Sequence, residues 1–138
     1  MTTKTTHDYG FGTTLELPFA EAVGRTKAAL KDEGFGVLSE IDVQATMREK
    51  LGAAYAPYLI LGACNPQLAH QALQAEYDLG LLLPCNVIVR AVNGETAVAI
   101  VDPAAMLGVV DNPTLRAVAA AAKTRLQRVV AALTATRR

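Results

Sequence analysis

The strongest constraint in this sequence is a hairpin. Two β-rich segments, Cys85 to Val92 and Glu95 to Val101, are separated only by Asn93-Gly94. A two-residue Asn-Gly connection selects a turn whose twist matches that of paired antiparallel strands, so these segments must be neighbours in a sheet. A fold that contains them is built on an antiparallel layer, and the rest of the chain has to cover it.

The remaining periodicities supply the cover. Tyr9, Phe11, Thr13, Leu15 and Leu17 alternate with smaller or polar residues, the period of a strand with one buried face. Pro18 then opens a helix carrying Phe19, Val23, Thr26 and Leu30, stopped by Gly34. Phe35, Val37, Ser39 and Ile41 return to strand spacing, and Asp42 caps a short helix with Val43, Met47 and Leu51 before Gly52. Tyr58 to Ala63 reads as a further strand. Asn65-Pro66 begins a helix bearing Ala69, Leu73 and Tyr77 and closed by Gly80. After the hairpin, Asp102-Pro103 starts a single helical turn, and Asn112-Pro113 precedes the longest helix, with Leu115, Val118, Ala122, Leu126, Val129 and Leu133 on its apolar stripe. The expectation is an α+β fold: an antiparallel sheet with helices mainly on one face, in the order β-α-β(4)-α with short extra helices.

No repeat, low-complexity tract or linker divides the 138 residues, so they read as a single domain over residues 1–138 with an ordered core from about 8 to 135. Thirteen basic residues balance thirteen acidic ones, which leaves no long-range field to attract nucleic acid or an anionic membrane. The basic residues near the carboxyl end, Lys123, Arg125, Arg128, Arg137 and Arg138, are expected to complement a helix dipole. The longest apolar run, Tyr55 to Cys64, is interrupted by Pro57 and Gly62, and the amino end, MTTKTTH, has no apolar core of a secretory signal. The expectation is therefore a cytoplasmic protein that does not span a membrane, with its two cysteines reduced.

Strand parity raises the question of what covers the second face of the sheet. Glu16, Glu40, Asn86 and Arg90 suit water there, whereas Leu38, Ile88, Val92, Val98 and Ile100 would expose an apolar patch. A homodimer is the first answer, with the short helices near Met47 and Ala69, or a ligand, as alternatives.

Few residues carry chemistry. Cys64 precedes a helix start, where free amides would lower its pKa if the sulfur pointed at them, and Cys85 follows Pro84 at a strand entrance. Both cysteines could meet at one end of the sheet, although unpaired cysteines more often serve as small buried hydrophobes. Their spacing matches neither a C-x-x-C redox centre nor a zinc pattern. His70 could join Cys64 as base or ligand, but a lone helix histidine seldom signals catalysis. Gly10-x-Gly12 lies within a strand, with no helix start or Lys to bind phosphate, and marks close backbone approach. No nucleotide, metalloprotease, hydrolase or EF-hand motif occurs, so neither a catalytic residue nor a cofactor or metal site is expected.

The segments Gly62-Ala-Cys-Asn-Pro66, Ala69-His-Gln-Ala-Leu73 and Leu82-Leu-Pro-Cys-Asn86, followed by the hairpin and Asp102-Pro103, resemble the domain-of-unknown-function family numbered 302, over about Tyr9 to Leu133. The resemblance implies a TATA-binding-protein-like fold, β-α-β(4)-α, often dimeric, in small bacterial and archaeal proteins. It implies no activity. By the motif, Cys64, Asn65, Pro66, Pro84, Cys85 and Asn86 become candidate ligand-binding positions, together with His70. The expected function is that of a homodimeric, non-enzymatic domain that binds a small molecule or a partner. The alternative is a thiol redox or metal-handling protein using Cys64 and Cys85.

Overall fold

The computed structural model describes residues 4–135; Arg137 and Arg138 lie outside the described residues. Six strands form one sheet in the order β1-β2-β6-β5-β4-β3, every neighbouring pair antiparallel. They are β1 (Lys4–His7), β2 (Gly10–Leu15), β3 (Gly36–Asp42), β4 (Tyr58–Cys64), β5 (Cys85–Val92) and β6 (Glu95–Val101). The helices are α1 (Phe19–Asp32), α2 (Val43–Leu51), α3 (Pro66–Ala75), α4 (Pro103–Leu107) and α5 (Pro113–Ala135), with a 3-10 segment at Tyr77–Leu82. The hairpin is β5 and β6, and Asn93 and Gly94 both take the positive φ that their turn requires. Strand β1 lies ahead of the expected start of the core at residue 8 and extends the sheet by one edge strand.

The register decides which face is buried. Val87 pairs with Ile100 and Val89 with Val98, and all four are essentially inaccessible beneath α1 and α5. Val98 and Ile100 therefore belong to the core and not to the second face. Strand parity fails for them because β6 pairs Val98 with Val89 and Ile100 with Val87, so that Ala97 and Ala99 take the open side opposite Arg90 and Ile88. Glu40 is a second correction. A register shift between Val37 and Ser39 turns it to the side of α1, where it pairs with Lys27, while Ser39 lies opposite Gly62. Asn86 and Arg90 are exposed, as expected.

Two apolar clusters hold the helices. Leu15, Leu30, Leu61, Val87, Val98, Ile100, Leu126 and Leu133 are central to the larger one. Ala72, Leu79, Leu107, Leu115, Val118 and Ala119 form the smaller. Each fully buried Leu or Val contributes about 1.5–3 kcal/mol, against at most about 1 kcal/mol for an exposed ion pair such as Arg25–Glu21. Apolar burial therefore outweighs surface ion pairing in holding the helices to the sheet.

Local signals set the helix ends. Asp42, Asn65, Asp102 and Asn112 each accept a backbone N–H of the helix they precede. Glu76 is extended and ends α3 early, so Tyr77 is not on its apolar stripe and is largely exposed. The α2 helix forms as expected but buries none of its residues, and α3 packs beside α5. The cations of α5 act as tethers: Lys123 pairs with Asp102 at 2.9 Å, Arg128 pairs with Glu33 at 2.9 Å, and Arg125 donates to the Glu33 carbonyl at 3.3 Å. Lys123, Arg125 and Arg128 lie ahead of the last described turn of α5, so the dipole role expected of them does not apply to these three.

Gly12 shows why β2 lies so close to β6. A Cβ at this position would stand 1.9 Å from the Val98 carbonyl oxygen and 2.7 Å from the Ala99 Cα. Backbone cannot yield as a flexible side chain can, so Gly12→Ala should lower the urea midpoint by the equivalent of about 1–3 kcal/mol or more. An unchanged midpoint would mean that the two strands are not in this close contact.

Candidate functional site

The site lies where the two apolar clusters fail to merge. Phe35, Ala63 and Ala122 bound it from the larger cluster, and Ala72, Leu107 and Val118 from the smaller. Small residues at the junction, including Ala69 and Gly80, leave a cavity of about 340 Å³. Native interiors are packed nearly as densely as organic crystals, so a void of this size in an apolar junction is a feature to be explained. Leu38 and Gly80 are exposed members of its lining, and the cavity opens to solvent at their end.

Both cysteines line this cavity. Strand β4 ends at Cys64, half-buried, and β5 begins at Cys85, buried beside Ala63 through the β4–β5 register. Asn65 turns the chain from β4 into α3: its side chain accepts the Leu68 N–H at 3.1 Å, and it is buried at the cavity wall. Pro84, joined to Leu83 by a cis peptide bond, completes this end of the wall and contributes to the lining.

The structure thus brings together Cys64, Asn65, Pro84 and Cys85, and leaves the other candidates outside. Pro66 is exposed in the first turn of α3 and is not part of the lining. His70 is exposed and is not part of the lining, while Leu68, Ala69, Ala72 and Leu73 of the same helix are. Asn86 follows Cys85 in β5 and therefore lies on the opposite face of the sheet. Phe35, Leu107, Val118 and Ala122 line the cavity without having been legible as site residues, because only the packing of distant segments brings them there.

Electrostatically the cavity is quiet. Burial raises the Cys64 thiol above its ordinary value, so the helix start that could have lowered it does not prevail. Cys85 is pushed up to about 11, first by burial and then by the proximity of Cys64. At neutral pH both sulfurs are uncharged thiols. Among the described residues, no group of three or more His, Cys, Asp or Glu is placed to hold a metal ion.

Known proteins show the same architecture. Residues 11–133 match the family model described as Domain of unknown function DUF302. The chain belongs to this family. A solved DUF302 protein, the uncharacterized conserved protein from Bacillus stearothermophilus, is 31% identical and superposes with a TM-score of 0.82, over 89% of this chain and 96% of that one. No curated protein matches. The segments around Cys64 and Cys85, both within the matched residues, thus bound one end of a single cavity. Among the described residues, no helix is long and apolar enough to cross a membrane.

The raised Cys85 pKa has a measurable consequence. Its folded value lies above the ordinary 9.0, so the stability it lends is complete below about pH 9 and is lost as pH rises through about 11. Alkylation by iodoacetamide should label Cys85 in the folded protein only at strongly alkaline pH. Rapid labelling at pH 7 would show that the sulfur is neither buried nor neutral.

Proposed function

We propose that this DUF302 chain is a non-enzymatic binding domain whose ligand is a small, uncharged, apolar molecule held in the cavity between β4, β5, α3 and α5. One observation carries the reading: a cavity of about 340 Å³ whose lining, Asn65 apart, is apolar side chains, glycine and two neutral thiols. Ligand sites are commonly concave and largely apolar with a few polar groups, and this cavity lies within the usual size range. No charged residue is among its lining residues, so an ionic ligand would be desolvated without compensation. The reading is for a cytoplasmic protein, since Cys64 and Cys85 are free and a reducing compartment keeps thiols so.

Self-association is the second part of the proposal. Strand β3 is an edge strand, and Leu38 and Ile41 on it are 71% and 50% exposed. Exposed apolar side chains on an edge strand favour contact with another chain, and two-fold pairing with a second copy would cover both sets together. Sedimentation should give a dimer that Ile41→Glu dissociates; a wild-type monomer at micromolar concentration would end this part of the reading.

Redox or metal handling by Cys64 and Cys85 is the weaker alternative. Thiol exchange requires a thiolate, and burial opposes its formation at both sulfurs.

The ligand reading is tested with N-phenyl-1-naphthylamine, a neutral apolar dye. It should bind the wild-type protein with one saturable site, and Ala69→Leu, which fills the space from α3, should weaken that binding by about tenfold or more, the effect of losing a few buried methylene contacts. Leu is close to Ala in helix propensity, so α3 should still form in the variant. Unaltered dye affinity in Ala69→Leu would place the bound molecule elsewhere and refute the proposal.

A further inference from the structure

The open face of the sheet carries a second concavity, separate from the cysteine cavity, of about 350 Å³. Its floor is Ala97 and Ala99 of β6, which lie beside Thr14 and Gly12 of β2 on one flank and Arg90 and Ile88 of β5 on the other. The short side chains of β2 and β6 lie low, and the longer ones of β5 stand along one side of them, which makes a trough. One wall is the His7–Tyr9 pair, whose rings stack with centroids 5.2 Å apart, and the other includes Tyr58 and Arg90, cross-strand neighbours on β4 and β5.

Arg90 distinguishes this trough from a bare apolar face. Among the described residues its guanidinium has no ion pair or side-chain hydrogen bond, in contrast to Arg116, Lys123 and Arg128, each of which has a carboxylate partner. No Asp or Glu is among the residues that line the trough. Two copies pairing by this face would therefore offer Arg90 no carboxylate from the trough, since a two-fold contact presents the same surface twice. An anion bound in the trough would therefore meet an exposed cation and no opposing carboxylate. A guanidinium presents its donors in a planar fork matched to a carboxylate, and the Asn86 amide on the same strand adds a neutral donor and acceptor. The alanine floor lets a flat body approach the sheet closely, between aromatic rings able to pack on its edges and faces.

We infer that this trough is a binding site for a small aromatic carboxylate, its ring laid over Ala97 and Ala99 and its carboxylate on Arg90. The site is independent of the proposed apolar ligand, because Cys85 and Asn86 are successive residues of β5 on opposite faces of the sheet.

The test is an NMR titration of the whole chain with naphthalene-2-carboxylate and, separately, with its uncharged analogue naphthalene-2-carboxamide. The carboxylate should shift the methyl signals of Ala97 and Ala99 and bind at least about tenfold more tightly than the amide, the usual scale of a hydrogen-bonded charge. Arg90→Gln should abolish that preference while leaving the remaining spectrum in place. Should the variant misfold, the comparison of the two compounds on the wild-type protein still decides. Equal affinities, shifts confined to Ala72 and Ala122 of the other cavity, or no saturable binding would overturn the assignment. So would Ala97 and Ala99 signals that move with protein concentration alone, since a second copy would then occupy the trough.

Discussion

The structure depends on one helix that serves two cores at once. The carboxyl-terminal half of α5 presses Leu126, Val129, Val130 and Leu133 onto the sheet, while its amino-terminal half gives Leu115, Val118 and Ala119 to a second cluster with α3 and α4. At 23 residues, α5 extends past the residues that it packs on the sheet. Its first turns leave the sheet, and α3, α4 and the 3-10 segment fill part of the wedge that opens. The remainder of the wedge is the cysteine cavity, bounded on α5 by Val118 and Ala122. Lys123 to Asp102 and Arg128 to Glu33 add ion pairs on the outside of the same helix.

That origin explains the chemical character of the site. A junction between two apolar clusters supplies apolar walls, and burial among them moves both thiols toward their neutral forms. Cys64 and Cys85 meet because β4 ends and β5 begins at the same end of the sheet, with Ala63 paired to Cys85. As neutral thiols in the wall they present compact, polarizable surface. The opposite face has a different character: Asn86 and Arg90, from the same strand as Cys85, face solvent above a floor of alanines.

Much of the fold is legible in local chemistry. Asn93-Gly94, the four capping residues and the glycines at 34, 52 and 94 are signals whose physics is complete within a few residues, and each element they bound exists. The two cysteines can be placed at one sheet end for the same reason. Strand faces are less legible. Parity counted along one strand misplaces Val98 and Ile100 because it ignores the register that pairing imposes, and it misplaces Glu40 because a single shift after Val37 reverses the parity of β3. The lining of the cavity is the least legible part. Phe35, Leu107 and Val118 are far apart in sequence, and nothing local marks them as converging. His70 lies outside the cavity lining because helical phase decides which way it faces, and its neighbours Ala69 and Ala72 hold the inner side.

For the cysteine cavity to bind as proposed, the space at the junction of the two clusters must be dry and accessible to an apolar guest. Crystals of the protein pressurised with xenon test this directly, because xenon enters apolar cavities without needing any polar partner. Xenon should bind between Cys85, Leu107 and Val118, with the surrounding side chains unmoved. Side chains of Leu68 and Leu83 collapsed into that volume, with no xenon between the clusters, would contradict it.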